Sequence, residues 1–128
     1  MIRTSRSNME EDVQQTIVQG RLRWYRRFLD HGHEVAVEDG VEFPPEDLRR
    51  RIMERDGVWE LVVPTASAAT VAHQLGQLPE VDARQILANM RRQPGVPYIG
   101  TETEVEWLQL ALAKADIDSK KRKYQETR

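Results

Sequence analysis

At 128 residues the chain has the length of a single domain, and its net charge of −2 by itself favours no class of partner. It contains no cysteine, which excludes disulfides, thiolate zinc sites and cysteine nucleophiles. No apolar run approaches the ~20 residues that cross a bilayer, and the polar start, residues 1–10, argues against a secretory signal. We therefore expect a cytoplasmic protein with no membrane partner.

The charges are unevenly distributed. Residues 1–28 carry six arginines against three acids, and residues 119–128 carry five basic side chains against one acid. Residues 29–60 carry ten acids against four arginines. The two basic terminal segments are expected to be solvated, to contact the acidic middle of the chain, or to bind a polyanion.

The first part of the chain is predicted as a disordered lead (1–8) and a helix-hairpin-helix segment (9–57). Glu10 and Glu11 follow Ser7 and Asn8 by three residues, which is the spacing of a capping box. A long helix is predicted from Met9 to Asp30, stopping at Gly32. Its apolar arc comprises Val13, Ile17, Val18, Leu22, Trp24, Tyr25, Phe28 and Leu29. Arg21 falls inside this arc, where a charged side chain is unexpected.

A β-hairpin is predicted next, because apolar residues alternate on both sides of Asp39-Gly40. A two-residue turn pairs Val37 with Glu42. A three-residue loop, 38–40, pairs Val37 with Val41 and places all the apolar side chains on one face, so we favour that register. A short helix, about 45–55, follows the proline pair and ends at Gly57.

The segment 58–124 has stronger local signals. The pattern predicts a central strand at 58–63, a helix from Thr65 or Ser67 to about Gln77, a helix at 82–93 and a helix from Thr101 to about Ala115. A short strand is predicted at 96–99, and because Pro97 lacks an N–H it lies at a sheet edge or at the start of the strand. Residues 119–124 read either as a polar edge strand or as disordered, and 125–128 as a tail. The predicted fold class is α+β, a small mixed sheet with helices packed on it, in one globular unit.

The order of elements from Val58 onward resembles the fold of ClpS, the Clp-protease adaptor, and of the C-terminal domain of the bacterial ribosomal stalk protein. The resemblance covers about half of the chain and is carried by Val71-Ala72-His73-Gln74-Leu75, Asp82-Ala83-Arg84-Gln85-Ile86-Leu87, Arg92-Gln93-Pro94-Gly95, the Val96 strand and the Thr101/Thr103/Glu104/Val105 helix entry. It implies a compact scaffold that binds other proteins.

Two departures limit what the resemblance implies. Where ClpS-like adaptors have an Asn-Asp-Asp stretch that grips an N-terminal amine, this chain has Pro64-Thr65-Ala66-Ser67, which contains no carboxylate. The stalk protein's Gly- and Lys-rich factor-binding helix is matched only by Gly76. The segment before Val58 belongs to neither family.

No pattern in the sequence indicates catalysis or a cofactor. There is no nucleophile elbow, phosphate loop or dinucleotide fingerprint, so we expect a non-enzyme without cofactors. His31 and His33 beside Glu34 have the look of metal ligands, but imidazoles at a predicted helix end also complement its dipole. We therefore predict no metal site.

The sequence offers two candidate surfaces. Aromatic and apolar side chains in excess of one docking face predict partner binding through Trp107, Leu110, Trp24 and Tyr25. The last helix carries apolar groups on two sides, and either the N-terminal helix or a partner covers the second side. The basic residues Arg23, Arg26, Arg27, Lys120, Lys121, Arg122 and Lys123 form the alternative surface, for a polyanion.

The leading hypothesis is a non-enzymatic adaptor or regulatory module that binds another protein or a second copy of itself. The alternative is a small nucleic-acid-binding protein.

Overall fold

The computed structural model describes residues 9–125, which form an α+β structure of two three-stranded antiparallel sheets and four helices. In chain order the elements are β1 (Met9–Val18), β2 (Arg21–Asp30), β3 (His33–Val41), α1 (Glu46–Asp56), β4 (Trp59–Val62), α2 (Ala68–Leu75), α3 (Ala83–Arg92), β5 (Tyr98–Gly100), α4 (Glu102–Ala113) and β6 (Lys120–Lys123). The predicted α+β class is confirmed, whereas the single mixed sheet is wrong.

The chain divides into two compact units, one ending at Ile52 and the other beginning at Met53. The division falls inside α1 rather than after Gly57. The predicted disordered lead, 1–8, lies outside the described residues, as do the last three residues of the predicted tail. The arrangement as a single globular unit stays a prediction.

The predicted N-terminal helix is wrong, because residues 9–30 form two antiparallel strands. Val18 pairs with Arg21 across a two-residue turn at Gln19-Gly20, and Asp30 pairs with His33 across His31-Gly32. All four turn residues have positive φ, between 53° and 81°. Two-residue turns with positive φ at both positions match the twist of paired strands. Gly32 thus ends a strand, not a helix.

The predicted hairpin at 35–43 is also wrong, because Asp39 and Gly40 lie inside one continuous strand, β3. Gly40 pairs with Trp24, and a Cβ on Gly40 would lie 2.6 Å from Trp24 Nε1. The indole therefore covers the glycine backbone, which explains a glycine within a strand. The same contact fixes the register between β2 and β3.

The first sheet, in the order β1-β2-β3, has two different faces. The inner face carries Leu22 and Trp24, and Trp24 forms a buried cluster with Val13, Leu48 and Ile52. The outer face carries side chains of alternate residues: Arg23, Tyr25 and Arg27 of β2, with Val37, Asp39 and Val41 opposite them on β3.

In the second unit the helices and strands lie where the sequence predicts them. Ser67 caps α2, Asp82 caps α3, and Thr101 with Glu104 forms the predicted capping box of α4. These caps are local side-chain bonds to the first backbone N–H groups of each helix, so the sequence displays them directly. The element order predicted for the whole chain is not confirmed, since the first unit differs.

The second sheet has the order β5-β4-β6, with both pairs antiparallel. β4 is the central strand and β5 an edge strand, as predicted. For the basic segment 119–124 the sequence allowed either an edge strand or disorder. Its residues 120–123 form an edge strand, β6. Helix α4 packs against all three strands and against α2, and Val105, Leu108 and Leu112 of its inward stripe are fully buried.

Candidate functional site

The predicted partner-binding residues of the first unit do not form one surface. Trp24 is only 8% exposed and lies in the core of the inner face, while Tyr25 is half-buried on the outer face. Adjacent residues of a strand point to opposite faces. Trp24 is therefore a packing residue, and its assignment to a surface site is corrected.

The two predicted partner-binding residues of the last helix, Trp107 and Leu110, also differ in burial. Trp107 is 3% exposed, so its side chain presents no surface to a partner. The predicted cover, an N-terminal helix, does not exist; α4 instead packs against α2 as well as the sheet, and Gln74 Nε2 donates to the Ala111 carbonyl at 2.9 Å. Leu110 is 50% exposed, and it alone of the two remains an apolar surface residue.

The arginines of β2 do not share a surface either. Arg26 lies on the inner-face side and forms an ion pair with Glu38 at 3.1 Å, while its guanidinium sits 4.6 Å from the Phe28 ring centroid. Arg23 and Arg27 lie on the outer face. Arg27 contacts Asp12 at 3.4 Å and stacks over Tyr25. The expected single arginine-lined side is wrong, because a strand divides these residues between two faces.

The outer face of β1 and β2 is held by a polar network. The Tyr25 hydroxyl donates to Gln14 Oε1 at 2.9 Å, and Gln14 Nε2 in turn donates to the Asp12 carboxylate. Arg27 donates to the same carboxylate. These side chains therefore bond to one another across the strand pair.

The two central residues of the basic strand β6 bond to acids of the second unit. Lys121 Nζ donates to Glu102 and to Glu106 of α4, each at 2.6 Å. These two bonds, Glu102 first, raise the pKa of Lys121. Arg122 donates from two nitrogens to Oε1 of Glu60, at 2.9 and 2.7 Å, and Glu60 is fully buried on β4. Much of the predicted polyanion surface is therefore neutralised internally.

Two lysines of β6 lie near the Trp59 ring. Lys123 and Lys121 each place Nζ 5.4 Å from the Trp59 ring centroid, a cation–π arrangement. The Arg55 side chain lowers the pKa of nearby Asp56 by hydrogen bonding. Lys120 is exposed, and its side chain forms no hydrogen bond, ion pair or ring contact within residues 9–125.

The histidine cluster is not a metal centre among the described residues. His31 lies 3.6 Å from Asp30 in the turn between β2 and β3, and both histidines are exposed. Within residues 9–125 no group of three or more potential ligands is arranged to hold a metal ion.

The helices of residues 9–125 are all too short or too polar to cross a membrane.

The strand β3 is the most exposed regular element of the first unit. Every residue of β3 is exposed except Gly40, which lies beneath Trp24. Val35, Val37 and Val41 are 54%, 55% and 44% exposed, and they make up half of the large apolar side chains that residues 9–125 leave exposed. The apolar surface that the sequence assigned to the aromatics is therefore on β3.

The main chain of β3 is also free on one side. β3 pairs with β2 alone, and within the described residues no further backbone hydrogen bond joins its outward side. The opposite edge, β1, differs, because its side chains from Asp12 to Ile17 are buried or half-buried. An uncovered edge with apolar side chains is a template for pairing with another strand.

The charge of β3 has one sign. Between His33 and Glu42 there are four acidic side chains and no lysine or arginine. Glu38 pairs with Arg26, and its side chain stays 53% exposed. The Asp39 side chain forms no hydrogen bond or ion pair with any residue in the range 9–125.

The sequence did not indicate this strand as a candidate site, because the valines were predicted to share one face of a hairpin. The available signal was the stretch Glu34-Val35-Ala36-Val37-Glu38, which follows a His-Gly turn and lacks any lysine to protect an edge.

Comparisons with known proteins return no match, whether with protein-family models, curated proteins or solved structures.

Proposed function

We propose that this chain is a non-enzymatic protein-binding module that takes up an extended segment of another polypeptide along β3. The observation that carries the proposal is the combination, on one strand, of an unpaired main-chain edge and three exposed valines. Strand addition uses both features, since main-chain hydrogen bonds supply affinity and alternate side chains supply specificity.

The outer face defines where the side chains of an added strand lie. Val37 and Val41 are separated by Asp39 and lie on the same face. A strand pairing with β3 brings its own alternate side chains to about 5 Å from these valines. Burial of the valines then removes apolar surface from water that the free protein leaves exposed.

The non-enzymatic part of the proposal is supported by the sequence, which lacks the nucleophile, phosphate-binding and dinucleotide patterns. The nucleic-acid alternative has less support. It needs a concentrated basic surface, whereas Lys121 and Arg122 contact acids and the arginines of β2 lie on two faces.

The experiment is selection of nine-residue peptides from a displayed library on the immobilised protein, followed by fluorescence titration of the enriched peptides. The test variant is Val37→Thr with Val41→Thr, which keeps β-branched side chains and removes two apolar contacts. We expect about tenfold weaker binding, from about 0.8 kcal/mol per lost methyl group.

The matched controls remove exposed apolar side chains elsewhere. Val18→Thr lies on β1 and Leu110→Gln on α4, and both should leave peptide affinity unchanged. If no peptide is enriched, or if enriched peptides bind the double variant as tightly as the unmodified protein, the proposal is wrong. A loss confined to Leu110→Gln would move the binding site to α4.

A further inference from the structure

The side chains that an added strand would meet on β3 differ between its two faces. On the outer face these are Val37, Asp39 and Val41, and on the inner-face side they are Ala36, Glu38 and Gly40. A partner strand therefore meets mainly valines on one side and a carboxylate between two small residues on the other. Both faces include an acid, and neither includes a cation from β3 itself.

Cross-strand neighbours prefer opposite charge, and like charges placed directly opposite are destabilising. Residues of an incoming strand opposite Glu38 and Asp39 are therefore favoured as lysine or arginine. Residues opposite Val37 and Val41 are favoured as β-branched or aromatic. The matching sequence therefore places an adjacent pair of basic residues between apolar ones.

A second copy of the chain is a poor occupant of the same edge. Two β3 strands together bring eight acids, counting Glu42, along one seam. Antiparallel pairing about Val37 places Asp39 opposite Val35 and Glu38 opposite Ala36, so no acid meets a cation. Self-pairing thus gains no charge compensation and adds repulsion.

We infer that the segment bound on β3 is an extended basic peptide in which a pair of lysine or arginine residues lies between β-branched residues. This inference rests on the proposed strand addition and specifies its partner. Three features of β3 support it, namely the free main-chain edge, the exposed valines and the acidic side chains.

The test uses three fluorescein-labelled nine-residue peptides titrated into the full chain and followed by anisotropy. The first carries two adjacent lysines flanked on both sides by valine and threonine, the second has glutamate in place of lysine, and the third is the first with every backbone amide N-methylated. We expect the basic peptide to bind at least tenfold more tightly than the acidic one. The N-methylated peptide should not bind, because it cannot donate main-chain hydrogen bonds.

A charge-reversed protein, Glu38→Lys with Asp39→Lys, supplies the decisive comparison. It should reverse the preference and bind the acidic peptide more tightly than the basic one. The control Glu54→Lys with Asp118→Lys changes net charge equally at exposed sites off β3, and it should keep the original preference. Circular dichroism of each variant establishes that the chain is folded.

Failure of this inference is distinguishable from failure of the proposed function. If library-selected peptides bind through Val37 and Val41 but the acidic peptide binds as well as the basic one, strand addition stands and the basic partner is wrong. The inference is overturned if the N-methylated peptide binds as tightly as the basic peptide. It is also overturned if Glu54→Lys with Asp118→Lys weakens binding of the basic peptide as much as Glu38→Lys with Asp39→Lys does, because binding is then general charge attraction. A dimer that Val37→Thr with Val41→Thr abolishes, seen in light scattering, would identify a second copy as the occupant instead.

Discussion

Each of the two sheets has a strongly charged edge strand, β3 in one and β6 in the other. The two strands differ in what their side chains contact. β6 is basic, and its central residues reach acids on α4 and on the central strand β4. β3 is acidic, and three valines on it remain in solvent. Both are edges by topology, but only β3 combines a bare edge with apolar side chains.

The difference shows when charge protects an edge strand. Lysines along an edge discourage further pairing, and four consecutive basic residues form β6. On β3 the acids are interspersed with exposed valines, so the apolar side chains stay available to a new neighbour. An edge strand is therefore closed or open according to which residues occupy it, and its total charge alone does not decide this.

The largest expected effect tests what holds β3 in place. Trp24→Ala should lower the free energy of unfolding of the first unit by about 3–5 kcal/mol, because it empties the cluster with Val13 and Ile52 and uncovers Gly40. Amide hydrogen exchange of β2 and β3 measures this effect. Tyr25→Phe, its neighbour on the outer face, removes one hydrogen bond and should cost about 0.5–1.5 kcal/mol. Equal costs would contradict the assignment of inner and outer faces.

The next effect tests the anchoring of β6. Arg122→Met should destabilise the second unit by about 1–3 kcal/mol, since it removes two charged hydrogen bonds from the buried carboxylate of Glu60. Denaturant unfolding followed by tryptophan fluorescence gives the value. Lys123→Met is the matched control and should change stability by less than about 1 kcal/mol. Adding Glu60→Gln to Arg122→Met should recover part of the loss; no recovery would show that the pair is not the cause.

A smaller effect concerns the pH dependence of the same strand. The folded-state pKa of Lys121 is raised by its bonds to Glu102 and Glu106. The stability it contributes is therefore fully present below the unfolded pKa, near 10.5, and is lost as pH rises through the higher folded value. The difference in unfolding free energy between the unmodified protein and Lys121→Met should stay constant from pH 8 to 10 and shrink above pH 10.5. A difference that grows in that range would contradict the ion-pair account.

The smallest expected effect is on the stability of β3 itself. Val37→Thr with Val41→Thr should change the free energy of unfolding by no more than about 0.5 kcal/mol, because both side chains are exposed in the free protein. Denaturant titration measures it. A loss above about 2 kcal/mol would show that these valines already pack against something in the free chain.

The second unit was predictable from sequence because its signals are local. Three helices begin at residues whose side chains cap the helix N-terminus, namely Ser67, Asp82 and Thr101. The apolar run from Val58 predicts a central strand. The position of Leu110 on the far side of α4 from Val105, Leu108 and Leu112 followed from helix geometry, but whether another element covers it did not. Burial of Trp107 did not follow, because it depends on which elements surround α4.

The first unit was mispredicted because its apolar residues fit the spacing of a helix and its turns are weakly marked. The spacing of Val13, Ile17, Trp24 and Phe28 fits a helical arc, while the alternation that marks β2 is interrupted by Arg26 on the inner-face side. Two observations favoured strands: Arg21 in the middle of the supposed apolar arc, and a glycine at positions 20 and 32. Neither Gln-Gly nor His-Gly is among the strongest turn dipeptides, so the turns were weakly marked.

The most direct test of the central claim is residue-resolved amide hydrogen exchange of β3, measured by nuclear magnetic resonance before and after adding the basic peptide. In the free protein, alternate amides of β3 should exchange slowly, where they bond to β2, and the others rapidly. The peptide should slow the rapid set by at least tenfold and leave β6 unchanged. Slow exchange at every β3 amide of the free protein, or no change in the rapid set at a saturating peptide concentration, would contradict the account.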